Sequence, residues 1–228
     1  MNNGAVERHF DQISVEYDRW KEKAGFYYQA VKAAVAEIVP PGRRVLEIGC
    51  GTGDVLASLE PVNGLGTDLS PRMVEMARGK HPHLRFEAHD LMGGPLRERF
   101  PFVVAVDVVE HVPDLLQAMR TMAAMMADDG LLVVITANPA WGPILHLAER
   151  LRLKMPEGDH EWRSQSDITS AATDAGLRER SFSRSFIVPR AVPVLKVLNT
   201  ARWARRFRLR YGLMQRAVFE LGTADVES

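Results

Sequence analysis

The chain predicts a single α/β domain: a parallel sheet with helices on both faces. Three observations carry this. From residue 44 onward, short apolar runs alternate with amphipathic stretches, the pattern of strand–helix crossovers. The runs Val103–Val106 and Leu131–Thr136 are nearly all apolar, as strands buried on both faces must be. No linker-like or low-complexity segment divides the 228 residues.

The elements follow in order. Residues 5–20 predict a helix, with Phe10, Ile13, Tyr17 and Trp20 at helical spacing. Residues 26–38 predict a second, stopped by Pro40-Pro41-Gly42. Strands are expected at 44–48, 64–68, 84–88, 102–106 and 131–137, with helices at 54–60, 71–80, 113–127 and 143–153. After a polar loop at 154–166, Asp167 is placed to N-cap a helix running to Ala175, with Gly176 as its stop. A strand at 177–188, a basic helix at 193–210 and a last strand at 213–220 complete the chain. In domain terms, residues 1–40 are N-terminal lid helices, 41–188 the core, and 189–212 a basic helical insertion between the last two strands.

Composition narrows the function. The 46% hydrophobic and 25% charged content is that of an ordinary globular domain. Cys50 is the only cysteine, which excludes an intramolecular disulfide framework and a multi-cysteine zinc site. No apolar run approaches the roughly 18 residues of a membrane span, and MNNGAVERHF lacks a signal peptide's apolar region, so a cytoplasmic protein is expected. The formal net charge of zero hides an asymmetry. Residues 1–176 hold 18 basic and 25 acidic residues, whereas 177–217 hold 11 basic residues against Glu179 alone.

The segment Val45-Leu46-Glu47-Ile48-Gly49-Cys50-Gly51-Thr52-Gly53-Asp54 carries most of the chemistry. A buried strand feeds a loop with glycine at alternate positions, and a helix follows. Such a loop lets backbone approach a ligand closely, beside the free N–H groups of a helix start. The spacing is G-x-G-x-G with Asp54 next, a poor cradle for a pyrophosphate, and Glu47 adds negative charge inside the strand. A ligand with an ammonium group suits it better. Asp68 ends the next strand, about 20 residues on, where a carboxylate accepts two ribose hydroxyls. Asp90 follows the third strand, where an adenine amino group can donate, and Asp107 ends the fourth. Four acids at four strand ends suit a cationic nucleoside and repel a polyphosphate.

With the residues VLEIGCGTGD, GTDLS, AHDL and VVAVDVVEHVPD in place, the chain resembles class I S-adenosylmethionine-dependent methyltransferases from about Phe10 to Leu177. It looks most like members acting on quinone precursors, saccharides and natural products. The resemblance implies a Rossmann-like sheet of seven strands, mostly parallel, whose last two form an antiparallel hairpin. It implies S-adenosylmethionine as cofactor, with Gly49, Gly51 and Gly53 behind the methionine moiety, Asp68 on the ribose, and Asp90 with Leu91 around the adenine. Glu47, Cys50, Leu69, Met73, His89 and Asp107 complete the expected cofactor set, and Tyr17 in the N-terminal helix covers it. The implied reaction is in-line methyl transfer to an oxygen or nitrogen of a small-molecule acceptor.

His111 and His160 are the candidate general bases. Asp107-Val108-Val109-Glu110-His111 resembles an element that binds a divalent metal in some relatives, but metal-free members carry nearly the same residues, and no metal is expected. Asn138-Pro139-Ala140-Trp141 reads as a turn, and Trp141, Met155 and Trp162 are expected on the acceptor pocket's wall. The basic stretch 193–210 is either a solvated amphipathic helix or a contact for an anionic membrane or acceptor. No nucleic-acid partner is expected, because no aromatic platform accompanies the arginines. The competing readings are a lipid-linked or anionic acceptor at a membrane, a non-catalytic S-adenosylmethionine-binding protein, and a nucleotide-binding oxidoreductase that the loop spacing disfavours.

Overall fold

The computed structural model describes residues 2–156, 158, 160–185 and 205–222. Helices α1 (Asn3–Lys23) and α2 (Gly25–Ala36) precede strand β1 (Val45–Ile48). Then come α3 (Asp54–Ser58), β2 (Leu65–Asp68), α4 (Pro71–Lys80), β3 (Arg85–Ala88), β4 (Phe100–Val106), α5 (Leu115–Ala124) and β5 (Met126–Ala137). The chain continues with α6 (Gly142–Arg150), α7 (Gln165–Asp174), β6 (Leu177–Ser185), α8 (Arg205–Tyr211) and β7 (Met214–Leu221).

The strands form one seven-stranded sheet in the order β3-β2-β1-β4-β5-β7-β6. The first five are parallel, while β7 runs antiparallel between β5 and β6, as expected. All four residues of β1 are buried because both faces are covered. Leu46 and Ile48 pack with Met119 and Met122 of α5 and Ile168 of α7. Val45 points the other way, into a cluster with Val31 and Val35 of α2, Leu56 of α3 and Val74 of α4. Parallel pairing brings the carboxyl ends of β1, β2 and β4 to one edge of the sheet, with Glu47 opposite both Gly66 and Val104.

Several boundaries differ from expectation for local reasons. The α7 cap lies three residues earlier than Asp167. Ser164 Oγ accepts from the Asp167 N–H, and the Asp167 carboxylate accepts from the Ser164 N–H, a capping box. Helix α5 starts at Leu115, where Asp114 accepts from the Gln117 N–H, so Glu110 and His111 lie in a turn before it. Strand β5 begins at Met126, because Phe100 pairs there before a register shift ahead of Phe102. Pro101 sits at that irregularity, where a missing N–H costs no ladder bond. Residues 186–204, covering the end of the expected strand and most of the expected basic helix, lie outside the described residues.

Ser164→Ala removes the cap acceptor and should lower the unfolding free energy by about 1 kcal/mol in urea titration. Full stability in Ser164→Ala, with that loss appearing in Asp167→Ala, would return the cap to Asp167.

Candidate functional site

A cavity of about 130 Å3 lies over the carboxyl ends of β1, β2 and β4. Of the thirteen residues expected around a cofactor, twelve line it: Tyr17, Glu47, Gly49, Cys50, Gly51, Asp68, Leu69, Met73, His89, Asp90, Leu91 and Asp107. Gly53 does not. It sits behind the loop with φ of +80°, and a Cβ there would come within 2.7 Å of the Phe86 ring. Its glycine is required by packing and by the left-handed turn into α3. Gly51 faces the cavity with φ of +51°, and the Tyr17 ring lies over it at 3.1 Å from an ideal Cβ.

Main-chain donors hold the acids. Glu47 accepts from the Leu56 N–H at 2.9 Å, inside α3, so it caps that helix as well as facing the cavity. Burial pushes its carboxyl up to about 8, against the pull of the Leu56 N–H and of Lys21. Asp68 accepts from the N–H groups of Gly51 at 2.8 Å and Ser70 at 2.9 Å. Burial raises it to about 6, with those two donors holding it lower than burial alone would. Burial pushes the Cys50 thiol well above its ordinary range, which leaves it a packing residue. Asp90 accepts from Met92 N–H at 2.8 Å and takes the Asn3 side-chain amide on both oxygens at 2.9 Å. The Nε2 atom of His89 is buried without a hydrogen-bond partner.

Helix α1 closes the cavity with one stripe, Asn3, Val6, Phe10, Tyr17 and Lys21. Polar contacts pin it to the domain. Ser70 Oγ donates to Asp11 at 2.5 Å, and Thr52 Oγ1 and Lys80 both donate to Asp18, at 2.7 and 2.8 Å. Lys21 is nine-tenths buried, 2.8 Å from Asp54 and under 5.5 Å from the centroids of the Tyr17 and Tyr28 rings. Burial works against the Asp54 charge, yet Lys21 and Lys80 hold its carboxyl well below the usual range. Neither Asn3 nor Lys21 was among the expected site residues. Their signal was spacing: Lys21 stands one helical turn after Tyr17, and Asn3 four turns before it.

A second cavity of about 210 Å3 adjoins the first, walled by Trp20, Phe26, Tyr27, Trp162, Leu145 and Leu153 among others. Three residues, Tyr28, Asp107 and Met155, line both cavities. Asp107 has φ of +51°, a strained setting for a non-glycine residue that costs about 1–3 kcal/mol. The Tyr27 hydroxyl donates to both of its carboxylate oxygens at 2.8 Å. Burial, then the Asp107 charge, push the Tyr27 phenol well above its ordinary range, so it remains a donor.

The expected catalytic histidines lie edge to face with ring centroids 6.0 Å apart, but only one reaches a cavity. His111 lines the first cavity, edge-on to Phe10. His160 is on neither wall, being stacked on His146 with its Nδ1 2.9 Å from the Gly158 carbonyl. Trp141 is likewise off both walls, because its Nε1 donates to the Tyr211 carbonyl at 2.8 Å. Met155 and Trp162 line the second cavity. Asn138 caps the turn before Trp141, accepting from the Ala140 N–H at 3.1 Å. Among the described residues, no group of three or more His, Cys, Asp or Glu could hold a metal ion.

A family model described as a methyltransferase domain matches residues 17–181. A ubiquinone biosynthesis O-methyltransferase from Bradyrhizobium diazoefficiens is 35% identical over 133 residues, 53% of this chain and 51% of that one. The chain thus spans about half the length of the curated relatives it first matches. A ubiquinone biosynthesis O-methyltransferase from Xanthomonas axonopodis is 26% identical over 68% of this chain and 70% of its own. Among solved structures, a Haloferax volcanii methyltransferase in complex with the Trm112 activator has a TM-score of 0.72 at 21% identity, over 93% of this chain and 97% of its own. Magnesium protoporphyrin IX methyltransferase from Synechocystis, with bound SAH, has a TM-score of 0.67 at 19% identity, over 97% and 99%. At these identities the structures show a shared fold.

The raised Glu47 pKa makes a stability prediction. A proton is kept in the folded state after the unfolded chain has lost it, so this contribution is full below about pH 4.5 and lost as pH rises to about 8. Glu47→Gln removes it. Urea titrations without ligand should therefore show the variant gaining stability relative to wild type between pH 5 and pH 8. A constant difference across that range would mean Glu47 is ionised throughout.

Proposed function

The chain belongs to the methyltransferase-domain family of class I S-adenosylmethionine-dependent enzymes, and on that premise we propose that it methylates an oxygen or nitrogen of a small aromatic acceptor. One observation carries this reading: a cavity under the glycine loop lined by Glu47, Asp68, Asp90 and Asp107 meets an apolar, aromatic one at Tyr28, Asp107 and Met155.

The residues present fit the cofactor. Asp68 already sits on two N–H groups at the strand end, with its oxygens placed for paired hydroxyls. Glu47 gives an ammonium group a buried carboxylate, and Lys21 is a cation on the same wall for a carboxylate. Asp90 now takes an amide NH2 from Asn3, the hydrogen bond an adenine amino group would replace, and the orphaned His89 Nε2 lies beside it on the wall. Bound there, S-adenosylmethionine supplies a methyl carbon already activated by its sulfonium.

The protein's share of the work is therefore placement. The aromatic walls of the second cavity hold a flat acceptor, and Tyr17 and Phe10 on α1 keep water from the first. Holding acceptor and methyl donor in near-attack geometry supplies much of the rate, on the order of 7–11 kcal/mol at best.

A second reading concerns where the acceptor comes from. Helix α6 and the residues after it expose Ile144, Leu147, Leu151 and Leu153, each more than half exposed. Arg150 and Arg152 flank them, and Leu145, Ala148 and Lys154 of the same segment wall the second cavity. An apolar face flanked by two arginines favours contact with an anionic bilayer beside the second cavity. Of the basic stretch singled out for this role, residues 193–204 lie outside the described residues, and Arg206 and Arg210 are exposed. Among the described residues no helix is long and apolar enough to cross a membrane.

Three measurements test these readings. Asp68→Ala should weaken S-adenosylhomocysteine binding by about 2–3 kcal/mol in calorimetry, the value of a lost charged acceptor. Unchanged affinity would remove Asp68 from the ribose site, and S-adenosylhomocysteine release from no member of a phenol, catechol and arylamine panel would sink the transfer reading. Phosphatidylglycerol vesicles should co-sediment wild type at low salt but release Leu147→Glu/Leu151→Glu. Equal binding of both proteins would dissociate α6 from any membrane contact.

A further inference from the structure

We propose that Asp107 is the general base that takes the acceptor's proton, and that Tyr27 is its positioning residue. The assignment rests on the methyl-transfer reading above and says where in the two cavities the chemistry occurs.

Methyl donor and acceptor occupy different cavities, so the reacting atoms must meet where the cavities join. Among the described residues, only Tyr28, Asp107 and Met155 line both walls. A thioether takes no proton, and a phenol is itself protonated in neutral water. That leaves the carboxylate. His111 reaches the first cavity alone, and Glu110 the second alone, where its Oε2 accepts from the Thr136 hydroxyl at 3.1 Å. Asp107 is also held with unusual firmness. Its backbone is in the left-handed region, its N–H donates to the Ile135 carbonyl at 2.9 Å, and the Tyr27 hydroxyl bridges both of its oxygens. A non-glycine residue kept in that conformation at the meeting point of two cavities fits a catalytic side chain better than a packing one.

The step balances simply. The acceptor heteroatom forms the new bond to the methyl carbon and displaces sulfur, which keeps the electron pair of the broken carbon–sulfur bond. The acceptor's O–H or N–H proton passes to an Asp107 oxygen and is lost to solvent after the product leaves. Tyr27 stabilises the carboxylate form by its donated hydrogen bond and fixes the plane of the group. Asp107 also shares its surroundings with Lys21 and Tyr17 from α1, Tyr28 from α2, Glu47 from β1, Glu110 and His111 from its own loop, and Lys154 after α6, all on the cavity walls.

The test uses two phenols of different acidity, 4-nitrophenol, which is largely ionised at pH 8, and 4-methylphenol, which is not. Asp107→Asn should slow methylation of 4-methylphenol at least 100-fold, the scale of general-base catalysis. Methylation of 4-nitrophenol should fall less than 10-fold, because no proton has to be removed. Both rates are taken at saturating S-adenosylmethionine, so a change in cofactor affinity does not enter the comparison. Tyr27→Phe should move the acid limb of the 4-methylphenol rate profile to higher pH, because the carboxylate loses a donor and becomes more basic. Equal slowing of both phenols, or no slowing of either, would overturn the base assignment while leaving the transfer reading intact. Transfer to neither phenol by wild type that still binds S-adenosylhomocysteine would instead sink the aromatic-acceptor reading and the assignment with it. An unmoved acid limb in Tyr27→Phe would remove the positioning role.

Discussion

Two buried carboxylates resting on main-chain N–H groups set the geometry of this molecule. Glu47 takes the Leu56 N–H and Asp68 takes those of Gly51 and Ser70. Each bond ties a side chain on one strand to the loop or helix that follows a strand, so the glycine loop, α3 and the start of α4 are fixed relative to the sheet edge. Removing a carboxylate from water is expensive, and those donors return only part of the cost, which is why both groups hold protons more tightly than usual. A ligand bringing an ammonium group and hydroxyls finds acceptors already aimed. Under the proposed function, that arrangement pre-organises the site for its ligand.

Helix α1 completes what the sheet edge begins. Its inner stripe is mixed, with Val6 and Phe10 apolar, Asn3 and Lys21 polar, and Tyr17 between. A purely apolar stripe would bind the domain without registering the helix along its axis. The contacts of Asn3 with Asp90, Asp11 with Ser70, Asp18 with Thr52 and Lys21 with Asp54 span its length and fix that register. Several are partly exposed and individually weak. The helix is thereby placed accurately, yet held by bonds that water can replace.

Much of this was legible in the residues because it is local. The glycine loop, its acids and the alternation of strand and helix depend on spacing along the chain, and twelve of the thirteen expected cofactor residues share one cavity wall. What failed depended on tertiary placement. Gly53 belongs to the loop by spacing, but the Phe86 ring from β3 decides that it packs rather than faces the cavity. His160 looked available in a polar loop, yet the neighbouring His146 and Trp162 rings enclose it. Ser164 and Asp167 form a reciprocal pair, so either could be read as the cap until backbone geometry distinguished them. Tyr27 gave no signal at all. Its partner Asp107 is 80 residues away in sequence, and only the docking of α2 on the sheet brings them together.

That last contact links the two halves of the molecule. Asp107 belongs to the sheet, whose strand ends define the first cavity, while Tyr27 and Tyr28 belong to α2, which walls the second. The α1–α2 corner also carries Trp20, Phe26 and Lys21, so one hairpin of helices covers both cavities. If this hairpin lifts, water enters, Asp107 loses the Tyr27 donor, and the aromatic wall comes apart together. Under the proposed function, this one hairpin would exclude water, shape the acceptor pocket and hold the carboxylate at the junction. A reaction whose electrophile needs little activation but whose partners must be aligned and dry is well served by an architecture in which those conditions cannot be met separately.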